Sequence, residues 1–264
     1  MTDPTEAHNR RVWDAMVRKR DRFTTPAKDS EFANPLATVD GLGWLGGDIR
    51  GQQVLCLAAG GGRQSALYAA AGGRVTVVDI SPAMLELDRA VAEQRQLEVR
   101  TVEASMQRLP FADSSFDLVI HPVSTCYVES IVDVFREVAR VCRPGGLYIS
   151  QHKQPTSLQA GLAASARGYE LIEPYYRSGP LPAAAEPSRL REAGALEFVH
   201  RWEDMIGGMC RSGFVIEDLV EPFHAEPQSA PGSFGHRCTY IAPYVRIKAR
   251  RRGEQRSVPS LVLR

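Results

Sequence analysis

Three consecutive glycines, Gly60-Gly61-Gly62, follow the apolar run Val54–Ala59, and Asp79 closes a second apolar run, Val75–Val78. An apolar run that breaks into glycines reads as a buried parallel strand feeding a tight turn. The helix formers Ala66, Leu67, Ala69 and Ala70 place a helix after that turn. An acid about 20 residues beyond such a turn, at the end of the second strand, accepts hydrogen bonds from both ribose hydroxyls of a nucleoside. The chemistry is that of a nucleoside-bearing cofactor. A second group of candidates follows the fourth apolar run, Phe116–Ile120, in His121-Pro122-Val123-Ser124-Thr125-Cys126-Tyr127, and His152 ends the fifth. In an open α/β sheet ligands sit at the carboxyl ends of the strands. His121, His152 and Tyr127 are therefore expected beside the reacting group, orienting or deprotonating an acceptor. Cys126 reads as a packing residue.

The elements that position these groups alternate clearly over residues 52–152. Strands are expected at 53–58, 74–79, 98–103, 116–120 and 147–150, and helices at 63–71, 82–95 and 129–142. Gly72-Gly73 ends the first of these helices, and Ser81-Pro82 starts the second as a cap followed by proline. Ile131, Val134, Phe135, Val138 and Val141 recur at helical spacing in the third. Arg143-Pro144-Gly145-Gly146 reads as a sharp stop. Strands alternating with helices of this length imply right-handed crossovers and a parallel sheet covered on both faces.

The flanks are organised differently. Residues 1–50 read as an N-terminal cap with a charged helix over 6–22, and 51–152 as the cofactor-binding core. Residues 153–200, rich in Pro, Ala and Gly, read as an inserted substrate lid with short strands near 168–176 and 195–200. Tyr169, Tyr175 and Tyr176 are its candidates for lining an aromatic acceptor pocket. Residues 201–248 complete the sheet through a helix at 201–212 and strands at Phe214–Val220 and Thr239–Ile247. The loop 223–237 between these strands lacks a helical pattern, which makes the last strand antiparallel. Residues 249–264 form a basic tail.

Composition narrows the partners. The 264 residues are 44% apolar and 24% charged, with a net charge of +1. That balance gathers neither nucleic acid nor an anionic membrane, and no apolar run approaches a membrane span. The five cysteines are scattered without a C-x-x-C pair, so no metal site is expected. Met1–Arg11 carries no apolar run of the signal-peptide kind. A cytoplasmic protein acting on a small molecule is the expectation, with a homodimer allowed.

The ordered motifs resemble the class I S-adenosylmethionine (SAM)-dependent methyltransferases. A-A-G-G-G-R (58–63) stands where that family has an acid followed by G-x-G-x-G; V-T-V-V-D-I-S holds Asp79; S-M-Q-R-L-P-F (105–111) is similar to D-A-x-x-L-P-F; and E-V-A-R-V-C-R-P-G-G-L-Y-I-S (137–150) is similar to the family's helix–R-P-G-G–strand passage. The subgroup of ubiquinone and menaquinone biosynthesis enzymes is the most similar. The resemblance covers about 50–152 strongly and 200–248 by pattern. It implies a Rossmann-like seven-stranded, mostly parallel sheet with an antiparallel last strand and helices on both faces. It implies SAM as cofactor, S-adenosylhomocysteine (SAH) as product and a small-molecule acceptor methylated at O, N or C. It also implies a cofactor set of Ala58, Gly60, Gly61, Gly62, Asp79, Ile80, Met84, Ser105, Met106 and His121. A dinucleotide fold wants a third glycine where Ser65 stands, which favours SAM over NAD. Three positions depart from the pattern: Cys56 replaces the family acid, Ala58 the first glycine, and Ser105 the Asp that commonly bonds the adenine amino group. Two alternatives stay open, an NAD(P)-dependent oxidoreductase and a non-catalytic SAM-binding protein.

Overall fold

The computed structural model describes residues 3–184 and 188–253. In chain order, α1 (Pro4–Arg18) and α2 (Pro35–Val39) precede β1 (Gln53–Leu57); then come α3 (Gln64–Ala70), β2 (Arg74–Asp79), α4 (Pro82–Arg95), β3 (Val99–Glu103), β4 (Phe116–His121), α5 (Ile131–Val141) and β5 (Cys142–Lys153). After α6 (Pro155–Gln159) and α7 (Gly208–Arg211), the chain ends in β6 (Phe214–Val220), α8 (Phe234–Arg237) and β7 (Tyr244–Arg251). The seven strands form one sheet in the order β3-β2-β1-β4-β5-β7-β6. All pair in parallel except β7, which runs antiparallel to both β5 and β6. The sheet is the expected Rossmann-like one.

Its core is two apolar layers. Val54, Leu55, Cys56 and Leu57 of the central β1 are all fully buried. Leu55 and Leu57 point into the layer built with Phe135 and Val138 of α5, while Val54 and Cys56 enter the opposite layer with Leu85 of α4. Each such aliphatic side chain contributes about 1.5–3 kcal/mol by leaving water. The Ser130 and Ser81 hydroxyls cap α5 and α4 by accepting from the Asp133 and Met84 amides. These caps fix where the helices begin, and so fix the loops at the carboxyl ends of the strands.

Helix α1 crosses that same edge. Its fully buried Asn9 donates to the Tyr127 and Leu196 carbonyls and accepts from the Leu196 amide. Asp14 accepts from the Ser81 hydroxyl at 2.6 Å, and Arg10 pairs with Glu103 at 2.8 Å. The N-terminal helix is thereby tied to the ends of β2, β3 and β4.

Several expectations are corrected. No strand forms among the described residues of 154–213; the 160–172 segment has only isolated bridges, Ala160 with Leu171 and Ser165 with Gly168. A side chain supplies what a ladder would. The buried Arg237 guanidinium donates to the Ser157, Ala160 and Gly161 carbonyls and to the Ser157 hydroxyl. Residues 203–207 form a π-helical turn ahead of the short α7. The helix α5 stops at Val141, ahead of Arg143–Gly146 as expected, but β5 begins at Cys142 rather than at 147, with Gly145 at a φ of 80° and an irregular register opposite Phe116 and Leu118. The last strand lies at Tyr244–Arg251, later than expected, because α8 and a turn through Ile241 occupy the preceding residues. Residues 254–264 of the basic tail lie outside the described residues. No described helix is long and apolar enough to cross a membrane, and no described group of three or more His, Cys, Asp or Glu is arranged to hold a metal.

Candidate active site

The turn after β1 is held from two sides by carboxylates. Asp79, at the end of β2, accepts from the Gly60 amide at 3.0 Å and the Ser81 amide at 2.9 Å. Asp88, on α4, accepts from the Gly61 and Gly62 amides at 2.9 and 3.1 Å and from the Ser65 hydroxyl. Burial pushes both carboxyls up to about 6 against these donors. Asp88 also lies near enough to add to the burial that pushes the Cys56 thiol up. Asp88 thus braces the glycine turn from α4, behind the cavity wall. Ser65, at the place of a dinucleotide fold's third glycine, is fully buried and serves as that acid's donor.

The backbone explains the glycines. Ala58, Gly61 and Gly62 have φ of 45, 115 and 75°. Alanine pays about 1–2 kcal/mol for the left-handed region. A Cβ on Gly62 would meet the Leu87 carbonyl oxygen at 2.8 Å and a Val91 methyl at 2.9 Å. Gly62→Ala is therefore expected to lower unfolding free energy by about 2–4 kcal/mol, from left-handed strain plus overpacking. Urea denaturation checks it, and a loss under 1 kcal/mol would mean that the turn and α4 separate freely.

A cavity of about 520 Å³ opens over this turn and along the carboxyl ends of the strands, within the usual range for a small-molecule site. Ala58, Gly60, Gly61, Asp79, Ile80 and Met84 line its β1–β2 side, with Ser105 and Met106 beyond β3. Gly62 is behind the wall. On the β4–β5–β7 side the lining includes Trp13, Phe23, Tyr127, Lys153, Glu192 and Tyr244. Tyr127 packs edge-on against Trp13 with ring centres 5.6 Å apart.

The two expected histidine bases are not on this wall. His121 is fully buried, with Nδ1 hydrogen-bonded to the Tyr148 hydroxyl at 2.8 Å and Nε2 to the Ser124 hydroxyl at 2.7 Å. Burial pushes it down to about 3, so it is neutral. His152 is equally buried between the Thr125 and Ser150 hydroxyls, each at 2.8 Å, and burial holds it well below its ordinary value. Both rings have their nitrogens occupied and brace β4 and β5 from within. The tyrosines of 153–200 also lie elsewhere. Tyr169 bonds His236 at 2.9 Å, Tyr175 accepts from the Trp202 amide, and Tyr176 is 80% exposed.

A buried ion cluster stands where the histidines were expected. Lys153, the residue after His152, donates from Nζ to Glu192 at 2.8 Å and to Glu197 at 2.5 Å. Arg191 completes the set through Glu197 at 2.5 Å. Burial opposes the Lys153 ammonium, but the two carboxylates outweigh it and hold the group above its ordinary value. Lys153 also stands 5.5 Å from the Tyr127 ring centre, and Glu192 faces the Tyr127 phenol, whose ionisation burial and this carboxylate suppress. Lys153 and Glu192 both line the cavity. In the sequence, the fifth strand's S-Q-H-K ending pointed at this place, one residue too early.

The residues fit SAM. Asp79 presents a carboxylate with unused lone pairs to the cavity. A Cβ on Gly60 would lie 2.9 Å from that carboxylate and 2.7 Å from the Met84 Cβ, so only glycine allows the turn to lie this close to Asp79.

The family profile described as "Methyltransferase domain" matches residues 55–150. The uncharacterized methyltransferase YbaJ of Bacillus subtilis is 33% identical over 230 residues, 81% of this chain and 89% of its own length. A demethylmenaquinone methyltransferase of Renibacterium salmoninarum is 36% identical over 111 residues, 42% of this chain and 45% of its own. Among solved structures, an S-adenosylmethionine-dependent methyltransferase from Mesorhizobium loti shares the fold with a TM-score of 0.62 and 21% identity, over 77% of this chain and 93% of that one. The motifs, the fold and a relative matched along most of its length converge: this chain belongs to the class I SAM-dependent methyltransferases, with SAM as its cofactor.

Proposed function

We infer that the enzyme methylates a small molecule at an oxygen or nitrogen that arrives carrying a proton, and that Glu192, held by Lys153, receives that nucleophile. The observation that carries this reading is one cavity shared by the Asp79 side and the buried Lys153–Glu192 pair. Bound here, SAM supplies a methyl group on an excellent leaving group, so the protein's part is mainly positioning. Trp13, Phe23, Tyr127 and Tyr244 offer flat apolar surface for the acceptor's body. Glu192 Oε2 accepts from Lys153, leaving lone pairs for an incoming O–H or N–H. Lys153 and Glu197 fix that carboxylate in place. The likeness to a quinone-pathway enzyme covers less than half of this chain, so the acceptor is read from the cavity itself. No observation favours a nicotinamide cofactor.

Glu192→Gln tests the reading. A panel of phenolic, hydroxylated and amine metabolites is screened for SAH formation. With any acceptor found, Glu192→Gln is expected to lower kcat/KM by about 10²–10⁴-fold, the usual worth of a positioned proton acceptor, with SAM affinity unchanged. Undiminished turnover in the variant sinks the role of Glu192. Turnover confined to carbon acceptors lacking an O–H or N–H nucleophile sinks the acceptor class.

A further inference from the structure

We propose that Glu6, on α1, is the acid that reads the cofactor's adenine amino group, a task for which the core itself provides only Ser105. This rests on SAM lying along the cavity with its ribose on Asp79.

With the ribose there, the base continues past Ile80 towards the end of β3, where Ser105 and Met106 line the wall. Ile80 and Met106 offer apolar contact to the ring faces. The amino edge of adenine donates and needs an acceptor. The Ser105 hydroxyl donates to Glu6 Oε1 and accepts from the Gln107 amide at 3.1 Å, which leaves it one uncharged lone pair, a weaker acceptor than the carboxylate beside it. Glu6 itself lines the cavity, and one hydrogen bond from a serine leaves most of its carboxylate lone pairs free. A glutamate in the first turn of a helix also favours the helix dipole, but that role does not require contact with the end of β3.

Glu6 is delivered by a rigid carrier. Asn9 anchors α1 to the Tyr127 and Leu196 backbone, Asp14 to Ser81, and Arg10 to Glu103. The Glu103 anchor lies two residues from Ser105, so the reach of Glu6 to position 105 is set by neighbouring contacts. The acid absent from the core loop at position 105 is thereby supplied from a packed helix.

The carboxylate discriminates between cofactors. It accepts from a 6-amino group and repels the carbonyl of a 6-oxo purine. Calorimetry with SAH and with its 6-oxo analogue, S-inosylhomocysteine, tests this on the full-length protein. The wild type should bind SAH and strongly disfavour the analogue. Glu6→Gln should weaken SAH binding by about 10–100-fold, the worth of a hydrogen bond to a charged group. Because the glutamine amide donates to a 6-oxo group, it should also narrow the preference for SAH at least tenfold. Adding Ser105→Asp to Glu6→Ala should restore much of the SAH affinity. Three results would overturn the assignment. Glu6→Gln and Glu6→Ala could keep SAH affinity within threefold while Asp79→Ala loses it. Glu6→Gln could lose both ligands equally, which would make Glu6 a packing residue of α1. A wild type that binds no SAH would overturn the cofactor's placement and this inference with it.

Discussion

Lys153→Met is expected to lower the unfolding free energy by about 3–5 kcal/mol, because it leaves two buried carboxylates with a single cationic partner. Methionine keeps the apolar stem, so the loss comes from charge rather than from a cavity. Glu192 and Glu197 are buried to 6% and 0% side-chain exposure, and after the change Arg191, at Glu197, is the one cation among the described residues that reaches them. Lys153→Met combined with Glu192→Gln and Glu197→Gln should recover most of the deficit, since uncharged polar groups are far cheaper to bury than unpaired ions. Urea denaturation of the wild type and the two variants decides it. A Lys153→Met midpoint equal to the wild type's would show that water reaches the cluster and solvates the two carboxylates. Apolar replacement of buried ion pairs is often neutral or stabilising, so the fold alone does not require this one. Its position on the cavity wall, beside Tyr127, gives the reason for an ionic group here.

The core was legible because its signals are local. The period of 3.6 in Ile131–Val141, the proline after Ser81 and the fully apolar Val54–Leu57 each name an element without reference to anything distant. The last strand was misplaced even though Val245-Arg246-Ile247-Lys248-Ala249-Arg250 alternates as a half-buried strand should. Val245, Ile247 and Ala249 are fully buried, while the exposed Arg246 reaches Gln151 at the cavity rim and Arg250 pairs with Glu217. The run of arginines masked this period of two by looking like a solvated tail. The site divides in the same way. Gly60, Asp79 and Met84 lie within the continuous stretch from β1 to the first turn of α4, so their spacing exposes them. Glu6 and Glu192 depend on which distant segments fold against the strand ends, and no local spacing records that. The histidines failed for a related reason. Sequence puts His121 and His152 at the correct edge of the sheet, but their direction depends on the hydroxyls of Tyr148, Ser124, Thr125 and Ser150, which engage both nitrogens of each ring.

Asp79→Ala is expected to weaken SAM and SAH binding at least about 100-fold, since two ribose hydroxyls lose a charged acceptor. It also removes the brace on the Gly60 and Ser81 amides, so Asp79→Asn is the cleaner probe of charge. The wild type itself should show that charge through pH. Burial is the main cause that raises the Asp79 carboxyl from 3.8 to about 6, with Asp14 adding to it and the Ser81, Gly60 and Ile80 amides opposing. The native state therefore holds this proton more tightly than the unfolded chain does. Its contribution to stability is fully present below about 3.8 and is lost as pH rises through about 6. Asp88, also raised to about 6, acts in the same direction. Cofactor binding runs the other way, because a protonated carboxyl is a poorer acceptor for the ribose hydroxyls. Between pH 7 and 5 the free protein's melting temperature should gain from these two carboxyls, while SAH affinity falls with an apparent midpoint near 6. Asp79→Asn should flatten the pH dependence of binding and leave the Asp88 share of the stability change. A wild-type SAH affinity constant from pH 7 to 5 would show that Asp79 stays ionised throughout, and that the hydrogen bonds from Gly60 and Ser81 outweigh its burial.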